Sequence, residues 1–170
     1  MKRLSIALAL FLLPLSAGCQ VLWRDVQAGT TIEQVKMLVP DANEPSRPST
    51  LAGGAMIGLL ELDGFQLADL DFKATFYFKD GKVDRVFLKP VERPNGTAAR
   101  VAALKVKDGL LAKYGKPVSD EEQKGILGVD QTTKWLSGET IIRYSFTQYG
   151  NDGTGFLQVI YMVPDDTRNL

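Results

Sequence analysis

From Leu70 to Lys79 the chain alternates without a break. Leu70, Phe72, Ala74, Phe76 and Phe78 fall on one side, and Asp71, Lys73, Thr75, Tyr77 and Lys79 on the other. Successive side chains of a strand point to opposite faces, so this period of two predicts a half-buried β-strand over about 67–78. Asp80-Gly81 follows directly. Both central positions of a tight hairpin turn need positive φ, which this pair tolerates. Residues 83–88 then return as the partner strand, and strands joined by so short a turn must be antiparallel.

Helices are predicted at two places. Thr30 and Glu33 have capping-box spacing, followed by an apolar face of Ile32, Val35, Leu38 and Val39 that Pro40 ends. A longer helix is expected from a Thr97 cap to about Tyr114, with a stripe of Val101, Leu104 and Leu111 beside Ala103, Leu110 and Tyr114. Gly115 and Pro117 stop it. Residues 40–50 carry three prolines and read as a loop, and an entry strand is expected near 57–62 after a mobile Gly53-Gly54 segment. Asp120-Glu121-Glu122 reads as a solvated acidic loop. Three further strands follow at about 129–136, 139–147 and 155–163, turning at Ser137-Gly138 and through 149–155. The expected fold is α+β: two αβββ halves, 30–94 and 95–170, forming an antiparallel sheet with helices packed on one face.

The N-terminus has a different character. Lys2 and Arg3 precede an apolar run from Leu4 to Leu15, then Ser16, Ala17, Gly18 and Cys19. A positive start, an apolar middle and a small-residue exit make a secretory signal over 1–18. The run is shorter than the roughly 20 residues a spanning helix needs. Leu15-Ser16-Ala17-Gly18-Cys19 resembles the bacterial lipobox, with Ser16 where Leu is preferred. The resemblance implies a covalent lipid, palmitate included, on Cys19, the only cysteine. Each buried lipid methylene contributes roughly 0.8 kcal/mol, so several chains hold firmly. The expected order is a signal (1–18), a lipidated tether (19–29) and one periplasmic domain (30–170). Gln20, where Asp marks inner-membrane retention in enterobacterial lipoproteins, implies the outer membrane, with the outer leaflet of the inner membrane as the alternative.

Composition limits the chemistry. Without Lys2 and Arg3 the chain has 18 basic against 20 acidic side chains, a net charge of −2. That balance gives no footprint for nucleic acid. Histidine is absent, which removes Ser-His-Asp and Cys-His catalysis and His-based zinc sites. No cysteine pair exists to staple the fold, so stability must come from an apolar core. No cofactor is expected beyond the covalent lipid.

Gly29-Thr-Thr-Ile-Glu-Gln-Val35, the helix end Tyr114-Gly115-Lys116-Pro117 and the later Trp135 resemble the small outer-membrane lipoproteins that accompany the barrel-assembly machine. They are also similar to the β-lactamase-inhibitor-protein fold. The resemblance implies a tandem helix-plus-sheet domain with a binding or scaffolding role.

Candidate sites were weighed against plainer readings. Asp69 and Asp71 can form an acid/base pair or ligate a metal, but beside Lys73 they read as a solvated strand edge. Asn151-Asp152-Gly153 lacks the acidic ligands of a calcium loop and reads as a turn. The glycine-rich 53–58 segment lacks the Lys-Ser or Lys-Thr of a phosphate loop. Tyr77, Phe87 and Trp135, with Lys73, Arg85 and Lys134, are expected to share an open sheet face as an interaction patch. The reading is of a non-enzymatic, membrane-anchored module binding an envelope protein. The alternatives are a hydrolase inhibitor inserting loops 40–50 and 149–155, and a small-ligand binder.

Overall fold

A computed structural model describes residues 21–125, 128–149 and 153–164. Cys19 and the Asn151-Asp152 pair lie outside them. The elements run β1 (Val21–Trp23), β2 (Val26–Gln27), α1 (Ile32–Leu38), β3 (Thr50–Leu51), β4 (Met56–Leu67), β5 (Leu70–Lys79), β6 (Lys82–Pro90), α2 (Gly96–Tyr114), β7 (Ser119–Gly125), β8 (Gly128–Ser137), β9 (Thr140–Tyr149) and β10 (Thr154–Met162). The class is α+β, dominated by one antiparallel sheet of eight strands in the order β3-β4-β5-β6-β10-β9-β8-β7. No helix among the described residues is long and apolar enough to cross a membrane.

The predicted hairpin is present. Lys79 pairs with Lys82 around Asp80 (φ 51°) and Gly81 (φ 74°), the left-handed pair the turn requires. The strand before it is shorter than expected. Ala68 (φ 53°) and Asp69 (φ 63°) form a second tight turn, with Leu67 opposite Leu70. Asp69 is therefore a turn residue bonded to Lys105 at 2.5 Å, and Asp71 is bound by Gln66, so the two carboxylates do not form a pair.

One face of the sheet carries the main core. Leu60, Phe72, Phe76, Val86, Trp135 and Tyr144 lie there with Val35 of α1 and the inner face of α2. The N-terminal hairpin joins it. Leu22, Trp23 and Val26 are buried in this core, so residues 21–27, expected as tether, are part of the domain. The face of α2 also differs from expectation. Ala99, Ala102, Ala103, Val106 and Leu110 point inward, while Val101 (48% exposed) and Leu104 (58%) point outward. The large aromatics of the sheet fill much of the volume, so the first turns of the helix present alanines to them, with Val106 and Leu110 further along. At Gly155 the fit is close: a Cβ there would stand 2.6 Å from the Ala99 Cβ.

Both predicted caps shift. Thr31 and Gln34, not Thr30 and Glu33, form the capping box, with Thr31 N–H donating to Gln34 Oε1 at 3.0 Å. Thr30 instead donates its hydroxyl to the Gln27 carbonyl at 2.7 Å. The N-cap of α2 is Asn95, without a side-chain bond, and Thr97 lies inside the helix. The acidic run is also no loop. It lies in edge strand β7, paired along β8, where Asp120 accepts from Lys107 at 2.8 Å and Thr133 at 2.7 Å.

Candidate functional site

The expected aromatic patch does not form. Tyr77 and Phe87 do share the sheet face opposite the main core, with ring centroids 4.8 Å apart. They are only 4% and 8% exposed, closed with Met56 and Ile160 into a second small core against Leu51 and Met162. The Tyr77 hydroxyl hydrogen-bonds Ser49 Oγ at 2.8 Å. Trp135 lies on the other face, 1% exposed, donating its indole N–H to the Gly115 carbonyl at 2.9 Å. Lys73 is held by Glu61 at 2.8 Å, which raises its pKa, and Arg85 is held by Asp84 at 2.6 Å.

Two bulges explain how residues of one parity reach two cores. Gly58 pairs with Tyr77 but Leu60 with Phe76, leaving Leu59 extra. Met56 therefore joins the second core while Leu60, of the same parity, joins the first. In β6, Arg85 pairs with Tyr77 and Val83 with Phe78, leaving Asp84 extra, so Val83 and Val86 share the main core.

What this second face exposes lies further along it. Tyr149 (56% exposed) and Phe156 (41%) meet edge to face with centroids 5.9 Å apart. The Arg93 guanidinium stands 4.7 Å from the Phe156 ring centroid. Beside them is a cleft of about 250 Å³ lined by Lys89, Arg93, Ser145, Thr147, Phe156 and Gln158. Register explains the grouping. Phe156 pairs with Thr147 and Gln158 with Ser145, which places these four side chains on one face of β9 and β10. Lys89 comes from the end of β6, and Arg93 from the connection into α2. That connection is fixed by Gly155 N–H donating to the Pro94 carbonyl at 3.0 Å.

No carboxylate lines the cleft, and neither Lys89 nor Arg93 has an ion-pair partner among the described residues. Withdrawal of the Lys89 ammonium from water, and secondarily the Arg93 charge, push its pKa down. The Thr147 hydroxyl is already committed to Asp130 at 3.0 Å. Two residues along β9 from Ser145, Arg143 Nε is buried without a hydrogen-bond partner among the described residues. The arrangement can bind, and among the described residues no group of three or more His, Cys, Asp or Glu side chains can hold a metal. Sequence reasoning missed Tyr149, Phe156, Lys89 and Arg93, because Tyr149 and Lys89 lie at strand ends, Phe156 near the start of β10 and Arg93 in a proline-rich connection, where alternation gives little signal.

The cleft and the start of the described chain stand at opposite ends of the sheet. The Val21 carbonyl accepts from Thr140 Oγ1 at 2.9 Å, at the first residue of β9. Thr147 lies seven residues on, roughly 23 Å along a strand. No protein-family model, curated protein or solved structure matches this chain.

Proposed function

We propose that this chain is a lipid-anchored module of the bacterial cell envelope that binds another envelope protein and performs no catalysis. Cys19 carries the lipid, with Gln20 favouring the outer membrane. The sequence without histidine supports a non-enzymatic role. The observation that carries the binding reading is the exposed Tyr149–Phe156 pair with Arg93 packed on it. Tyr and Arg side chains at a cleft are the kind that dominate binding energy at protein interfaces. Anchor and contact surface are then separated along the long axis of the strands, so a domain standing upright on its tether presents its aromatic end away from the bilayer.

The fold is read as a structural duplication. One half supplies α1 and β4-β5-β6, the other α2 and β8-β9-β10. In support, β6 and β10 meet at the sheet centre and each half runs outward in mirrored order. The reading as a whole is tested by palmitate labelling in cells with Cys19→Ser as control, and by membrane fractionation. Label on the parent chain alone, with the variant released from the membrane, is the expected result. Equal recovery of an unlabelled parent chain in the soluble fraction would remove the anchor from the account.

A further inference from the structure

The cleft at the aromatic end has a charge pattern that calls for a ligand. Lys89 and Arg93 converge on a cleft of about 250 Å³ that no carboxylate of the described residues lines. Two like charges held together without a counter-charge repel, and a folded protein does not gain from that arrangement alone. The Ser145 hydroxyl and the Gln158 amide add neutral donors on the same wall. Pro90, Pro94 and Phe156 add apolar lining.

We propose that this cleft is a binding site for an oxyanion, a phosphate or carboxylate group carried on a soluble or protein ligand. Lys89 and Arg93 supply the charge, Ser145 and Gln158 the neutral hydrogen bonds, and Phe156 a flat surface for the group that bears the anion. Arginine offers a planar fork of donors to two oxygens, and lysine a compact point charge. The volume suits a head group or a terminal carboxylate rather than a whole cofactor, since cavities for drug-sized ligands begin near 300 Å³.

Geometry favours a ligand other than the lipid of the anchoring membrane, a step that rests on Cys19 being the anchor. Val21, two residues after Cys19, lies at the opposite end of β9 from the cleft. A lipid head group of the same bilayer meets the cleft only when the strands lie along the membrane plane, and the vesicle arm of the test separates that source from a soluble one.

The test uses the full chain purified in a neutral detergent, and so does not depend on where the chain resides in the cell. Inorganic phosphate and acetate are each titrated at constant ionic strength against chloride, with binding read by equilibrium dialysis. Vesicles of phosphatidylglycerol with phosphatidylethanolamine form a separate arm. Saturable binding of one anion per chain, weakened at least tenfold in the Lys89→Ala/Arg93→Ala double variant and unchanged in Lys79→Ala, is the expected result. Circular dichroism confirms that the double variant is folded, and the single variants are read if it is not. Absence of saturable binding above chloride would overturn the proposal, as would binding that the double variant retains. Binding to vesicles alone, dependent on Lys89 and Arg93, would overturn it in favour of a membrane surface. Failure of palmitate labelling with intact phosphate binding would remove the anchor and leave the site standing.

Discussion

The two faces of the sheet are built from the same strands and do opposite things. On the helix face, Phe72, Phe76, Tyr144 and Trp135 are buried in the main core, and the polar atoms of Tyr144 and Trp135 bond to backbone, Tyr144 to the Ala103 carbonyl at 3.1 Å and Trp135 to the Gly115 carbonyl at 2.9 Å. Burial there pushes the Tyr144 hydroxyl pKa well above its ordinary value. The other face closes only a four-residue apolar cluster around Tyr77 and Phe87, and elsewhere exposes Tyr149, Phe156 and Leu136 among Thr, Ser, Gln, Lys and Arg side chains. The difference shows that one face carries the stability of the fold, which frees part of the other to hold uncompensated charge and exposed aromatics.

That division is open to direct attack. Trp135→Ala removes the largest fully buried side chain of the main core and its bond to Gly115. A loss of about 3–5 kcal/mol is expected, read by urea unfolding of the full chain. Phe87→Ala empties part of the smaller cluster, and about 2 kcal/mol is expected there, at the low end for core truncations. Equal losses at the two positions would break the distinction between a main and a lesser core.

Charge sharpens the contrast. Asp120 is held below its ordinary pKa of 3.8 by its hydrogen bond from Lys107, with help from Thr133. Its folded pKa is depressed, so its contribution is present at pH values above 3.8 and is lost as pH falls through the folded value. Asp120→Asn should therefore lower stability by less than about 1 kcal/mol at neutral pH, as expected for a part-exposed pair, with the difference vanishing in strong acid. Lys89 has the opposite sign. A lysine whose folded pKa is lowered costs stability while it is charged, and the cost fades only as pH rises through that value. Lys89→Met should raise the thermal midpoint slightly, corresponding to a gain of about 0.5 kcal/mol or less, while weakening anion binding. A lowered midpoint would mean that Lys89 is a structural residue.

Sequence patterning reached the antiparallel strands, both helices and the Asp80-Gly81 turn, because each rests on local periodicity or turn chemistry. It missed the Ala68-Asp69 turn, since no glycine follows Asp69 and Ala68 is not a residue that positive φ selects for. It placed Tyr77 and Trp135 on one face because parity within a strand does not fix the register between distant strands; the ladder Phe76–Val86–Tyr161–Ile142–Trp135 puts Trp135 on the main-core face. The stripe on α2 failed for another reason. Burial there follows the space left by the sheet, so alanines face inward and Val101 and Leu104 outward. The edge strand β7 reads as a charged loop because an exposed edge tolerates Asp, Glu and Lys.

The most direct test of the central claim, that the aromatic end of the second face is where a partner binds, is position-resolved photo-crosslinking in intact cells. A photo-reactive residue is placed at Phe156, and separately at Leu104 on the outer side of α2, both of them exposed. The account predicts a discrete envelope-protein adduct from position 156 that weakens with Arg93→Ala, and none from position 104. Adducts from position 104 alone, or from neither position, would contradict it.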